Sequence, residues 1–110
     1  MVQNTIEKIE EKIRTNNSLN PKNKTELLDL LATLKPEITK LSVAKSEHAE
    51  SIAGFVERSA HEATRKEQNP TLLKIATEGL SASVKGFESS HPKLVETVNY
   101  IANAFANIGL

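Results

Sequence analysis

Residues 27–41 read LLDLLATLKPEITKL. Leu27, Leu31, Leu34, Ile38 and Leu41 step by four and three residues, the spacing that gathers side chains on one stripe of an α-helix. The stripe keeps its phase across Pro36, although proline removes a backbone donor and crowds the preceding turn. Two readings stand side by side: a helix that kinks at Pro36 and continues, or a new helix that starts at Pro36 because Lys35 before it is pushed toward extended geometry. In both, this part of the chain is helical.

The same alternation extends outward. Val2, Ile6, Ile9 and Ile13 mark a short amphipathic helix at the amino-terminal end. Asn16 and Asn17 suit its end, and Asn20 followed by Pro21 supplies a cap and a preset first turn for the leucine-rich helix. From Ser42 to Gln68 there is no proline and a single glycine, Gly54, and the apolar positions thin to Ala49, Ile52, Phe55, Val56, Ala60 and Ala63. That pattern predicts one long helix over 36–68 with a narrow seam, roughly 50 Å long at about 1.5 Å per residue. Asn69 and Pro70 repeat the cap-then-proline signal. Leu73, Ala76, Leu80, Val84 and Phe87 then mark a helix running to about Glu88. Gly79, Ser83 and Gly86 lie near its seam, either to admit a neighbouring backbone or as glycines tolerated on a wet face. Ser89 to Pro92 break the helix, with Ser90 or His91 as a cap and Pro92 in the next first turn. Leu94, Val98, Ile101, Phe105 and Ile108 restart the alternation, and Gly109 is placed to end it. No run alternates with period two, so no sheet is expected. The fold class is all-α. We read a single domain over 1–110, a small helical bundle made of a helical pair (1–35), a long central helix (36–68) and a carboxy-terminal helical hairpin (69–110).

Composition narrows the function classes. Leu, Ile, Val and Phe make up 29 of 110 residues, enough apolar side chains for a packed core. Lys plus Arg and Asp plus Glu are 14 each, and no third of the chain departs from balance by more than one charge. A nucleic-acid binder carries a basic surplus, so that class is disfavoured. With no Cys there is no disulfide, thiolate metal site or cysteine nucleophile. Neither a GxGxxG nor a P-loop string occurs. The start, MVQNTIEKIEEKIR, is periodic rather than a basic patch leading into an apolar run, which makes the cytoplasm the expected location. The longest uncharged stretch, Thr97 to Leu110, is 14 residues and is interrupted by Asn99, Asn103 and Asn107. A membrane span needs about 20 apolar residues, so no membrane partner is expected.

The string Phe87, Glu88, Ser89, Ser90, His91, Pro92, Lys93, Leu94, together with the close Ala104, Phe105, Ala106, Asn107, Ile108, Gly109, Leu110, resembles a bacterial family catalogued as domain of unknown function 4404. The resemblance rests on an FE-x-S-H-P-x-L segment, an apolar helix and an apolar-Gly ending over the final 24 or so residues. It extends more loosely to the short first helix and the leucine-rich second one, and the middle, about Pro36 to Glu67, is longer than the family pattern. It implies a small helical bacterial protein and brings no activity, substrate or catalytic residue with it.

Several residues are candidates for chemistry or contact. Glu88 and His91 have the Glu-x-x-His spacing of di-iron bundles, but such sites need two of these motifs and two further glutamates. A turn-and-cap role for Ser90, His91 and Pro92 fits better. Glu57, His61 and Arg65 form a ladder four residues apart, the pattern of a solvated face. His48 falls in heptad phase with Leu41 and Phe55, where an imidazole could respond to protonation, although a partly exposed seam residue with no role fits better. Asn99, Asn103 and Asn107 form an amide row opposite Val98, Ile101 and Phe105. Amides on a helix surface ordinarily bond water; with no charge after Glu96, this row could instead meet another chain, because interface centres are depleted of charge.

No set of nucleophile, base and pocket emerges, so no enzyme and no cofactor is expected. The reading favoured is a non-enzymatic, self-associating interaction or structural module. The alternatives are a regulator that binds another macromolecule and a metal-binding bundle using Glu88 and His91. A 50 Å rod carrying Ile52, Phe55 and Val56 could not be covered by the shorter helices, which predicts a homodimer or higher even oligomer packed through these residues and the last helix. An unidentified protein partner is a further possibility. The rival is a central segment that folds back near Gly54 and buries its own seam.

Overall fold

Asn20 begins the longest helix: its Oδ1 accepts the backbone N–H of Asn23 at 2.8 Å, and Pro21 takes the first helical position, where no N–H is missed. In the computed structural model, which describes residues 2–108, the chain forms five helices and no strand among those residues. They are α1 (Val2–Thr15), α2 (Pro21–Ala44), α3 (Ser46–Ala63), α4 (Pro70–Ser83) and α5 (Pro92–Ile108). No helix of the described residues is long and apolar enough to cross a membrane.

Helix α2 continues through Pro36 without a break. Pro36 and Ala32 are both exposed, so the carbonyl that loses its donor lies on the wet side of the helix. The stripe Leu27, Leu31, Leu34, Ile38 and Leu41 is buried on the opposite side. The long helix expected over 36–68 does not form: its first nine residues belong to α2, and the chain breaks at Lys45. Lys45 (φ −136°, ψ 60°) donates its N–H to the Leu41 carbonyl and accepts from the Ala49 N–H, so one residue closes α2 and opens α3. The physical reason is visible in the seam. A continuous helix would place Lys45, four residues after Leu41, in the apolar stripe, whereas the corner leaves it exposed. The whole molecule is 37 Å in its longest dimension, which leaves no room for a 50 Å rod.

Helix α3 packs on each of the other helices, while α2 also packs on α1 and α5, and α4 on α5. The centre of the bundle is therefore α3, whose Ala49, Ile52, Ala53, Val56, Ala60 and Ala63 are buried. Small alanines on this helix let its neighbours come close. Lys35 of α2 ties the first pair together through Glu10 of α1 at 2.9 Å, with Glu7 at 3.9 Å.

The carboxy-terminal hairpin is formed by α4 and α5. Asn69 caps α4 by accepting the Leu72 N–H at 3.1 Å, as its sequence signal implies. Helix α4 ends at Ser83 rather than near Glu88, because Gly86 (φ +97°) turns the chain in a conformation other residues rarely adopt. Glu88 Oε1 accepts the Gly86 N–H at 2.8 Å and fixes that turn. His91 accepts the Val95 N–H through its carbonyl, and Pro92 is the first residue of α5. Gly109, expected to end this helix, lies outside the described residues.

Candidate interaction face

The apolar side of α5 is spent on the core: Leu94, Val98, Ile101 and Phe105 are fully buried. Its outward side carries Asn99, Asn103 and Asn107, all exposed, beside Tyr100 at 56% exposure. From Thr97 to Ile108 the helix has no charged side chain. Two shallow grooves flank it. One, of about 380 Å³, lies against α4 and is lined by Glu78, Ser81, Ala82 and Lys85 across from Ala102, Asn103 and Ala106. The other, of about 250 Å³, lies against α2, where Glu26 and Leu30 face Tyr100, Asn103 and Asn107. Asn103 is thus the ridge between two open grooves, with amide donors and acceptors directed to neither wall by any hydrogen bond among the described residues.

The other expected contact residues are split by the fold. Ile52 and Val56 are 0% exposed, so the bundle itself buries the two residues expected to meet a second copy. Because the chain turns at Lys45, α3 lies inside the bundle and its seam is covered by α1, α2, α4 and α5. The fold-back reading has the right consequence at the wrong residue, since Gly54 is in the middle of α3. Phe55 stays 38% exposed, with its ring lying over Gly79 of α4.

Glu88 and His91 do not converge on a shared site. The Glu88 carboxylate holds the Gly86 turn, and the His91 ring meets Phe87 edge-on at 6.0 Å. Among the described residues no group of three or more His, Asp or Glu is placed to hold a metal ion. Ser90 Oγ and His91 Nδ1 are 3.0 Å apart, but they are adjacent residues in an exposed turn and this contact serves the turn. His48 is exposed and meets the Phe87 ring edge-on at 5.4 Å, so it lies at the surface beside Phe87 instead of entering a seam.

In the ladder Glu57, His61, Arg65, the first two are exposed, in keeping with a solvated face, and beside it stands a pairing that the sequence reading missed. Arg65 pairs with Glu62 at 2.9 Å and Arg58 approaches the same carboxylate at 3.9 Å, while Glu62 itself is 4% exposed. The spacing of Glu62 from the two arginines, four and three residues, was the available signal. Ser59, one turn before Ala63, is fully buried and its hydroxyl has no hydrogen-bond partner among the described residues.

No family model, curated protein or solved structure matches this chain.

Proposed function

We propose that this protein is a non-enzymatic interaction module that associates with itself through the outward face of α5. The observation that carries the proposal is the uncharged row Asn99, Asn103 and Asn107 beside exposed Tyr100, flanked by open grooves. Amides and a tyrosine offer paired donors and acceptors with little desolvation cost compared with charges, and interface centres favour that composition. The chain as a whole carries both signs in balance, 14 basic against 14 acidic residues, which suits a solvated surface outside this face.

Light scattering or sedimentation across a micromolar range tests the reading. The expected result is a mass that rises with concentration to twice that of the chain. Asn103→Arg places a charge at the centre of the face and returns the mass to that of one chain, with the helical circular dichroism unchanged. A concentration-independent mass of one chain overturns the proposal.

A further inference from the structure

Five large apolar side chains stay exposed among the described residues, and three of them, Phe55 of α3 with Leu72 and Ile75 of α4, share one face. Leu72 (40% exposed), Ile75 (59%) and Gly79 recur at three and four residues and so form one stripe of α4. The Phe55 ring lies over Gly79, which makes this stripe the edge of α4 that borders α3. The two helices run antiparallel there, because Phe55 stands eight residues before the end of α3 at Ala63 and Gly79 nine residues after the start of α4 at Pro70. Going from that contact toward the connecting loop, Arg58 comes level with Ile75, and Glu62 level with Leu72. Phe55, Arg58 and Glu62 are themselves spaced by three and four, so they border the same furrow. From Phe55 to Glu62 it runs two helical turns, about 10 Å.

The charge around this furrow is one-sided. Residues 58–75 hold four cations, Arg58, Arg65, Lys66 and Lys74, against two carboxylates, in a chain balanced at 14 of each sign. One of the two, Glu62, is buried with Arg65 at 2.9 Å and Arg58 at 3.9 Å, so solvent meets guanidinium there and not carboxylate. Arg58 is exposed and comes no closer to any other carboxylate among the described residues. The neighbouring Glu57 and Glu78 line other grooves, against α1 and against α5.

We propose that the α3–α4 furrow docks an acidic amphipathic helix of another protein, whose apolar stripe covers Phe55, Leu72 and Ile75 and whose flanking carboxylates pair with Arg58 and Arg65. A furrow between antiparallel helices takes a third helix by the packing that builds the bundle itself, with apolar anchors at three-four spacing. The cations select the sign of the partner, since unlike charges steer the encounter and like charges at the rim are repelled. The proposal does not depend on self-association through α5.

The probe is a labelled synthetic peptide of about 18 residues, about five helical turns, with leucines at i, i+3, i+4 and i+7 and glutamates beside them. Its binding to the full chain is read by fluorescence anisotropy and by amide chemical-shift changes. A second peptide keeps the leucines and carries lysines in place of the glutamates. Vesicles of phosphatidylserine and phosphatidylcholine supply an anionic surface without a helix. The acidic peptide is expected to bind at least about tenfold more tightly than the basic one, by a margin that shrinks as salt rises, and to shift amides around Phe55, Arg58, Leu72 and Ile75. Ile75→Ser and Arg58→Ala are each expected to weaken it at least about tenfold. Val43→Ser, which removes an exposed apolar side chain on α2, leaves it unchanged. All three positions are exposed, and circular dichroism checks that the variants keep their helices. Equal affinity for the two peptides, amide shifts confined to other faces, no binding of the acidic peptide at about 1 mM, or binding to the vesicles alone overturns the proposal.

Discussion

Two glycines in α-helices carry opposite expectations. A Cβ built on Gly54 meets nothing within 4 Å, whereas one built on Gly79 comes within 2.5 Å of Phe55 Cε1. Glycine inside a helix costs about 1 kcal/mol relative to alanine. Gly54→Ala is therefore expected to stabilise the fold by about 1 kcal/mol. Gly79→Ala gains the same propensity but forces the Phe55 ring to swing off α4, so it gains less or loses stability. Urea unfolding of the two variants side by side checks the order, and a Gly79→Ala protein more stable than Gly54→Ala defeats the argument. The same residues show what sequence could and could not convey. The apolar character of Ile52, Phe55 and Val56 was legible, but which of them meets water depends on where α4 lies. Gly79 admits the Phe55 ring at the surface, while Ile52 and Val56 point inward. A seam read on one helix says which side is apolar and not whose surface covers it.

Elements show a similar division. The stripes of all five helices and the caps at Asn20 and Asn69 were legible, because four-three spacing and an amide before proline act locally. The Lys45 corner was not legible as a turn: it uses neither glycine nor proline, and a single residue with ψ 60° does the work. Its signal was indirect, a lysine in register with Leu41. Pro36 presents the reverse case, a strong breaker that does not break. Helix α2 holds it because Leu34, Ile38 and Leu41 are fully buried on both sides of it and the lost hydrogen bond faces water. A tolerated proline still imposes its cost. Pro36→Ala restores one backbone hydrogen bond and removes a clash worth about 3 kcal/mol in helix interiors, less about 1 kcal/mol for the freer unfolded chain. Thermal melts are expected to show stabilisation of about 1–2 kcal/mol after partial relief of strain in the native helix. An unchanged or lowered melting temperature would mean that Pro36 helps hold α2 in its native packing.

At the scale of the molecule, α3 makes the bundle one unit. It touches α1, α2, α4 and α5, and α2 is joined to α5 across the bundle, so no pair of helices owns a separate core. The chain can be cut on paper between Gln68 and Asn69, in the loop before α4. Such a cut leaves α1, α2 and α3 with the faces that α4 and α5 cover, and removes Leu73, Leu80, Leu94, Val98, Ile101 and Phe105 from the core. The remaining helices have 14, 24 and 18 residues. Helices of this length are marginal in water without an apolar partner, and chains below about 70 residues have little core to spare. A fragment of residues 1–68 is therefore expected to lose most of its helical circular dichroism and to melt without a cooperative transition, while the full chain melts in one step. Adding a fragment of residues 69–110 is expected to restore the signal, since the two pieces then rebuild the contacts of α3 with α4 and of α2 with α5. A sharp, independent melt of residues 1–68 would show instead that the first three helices form a domain to which the hairpin is merely appended, and that α3 is covered well enough without it.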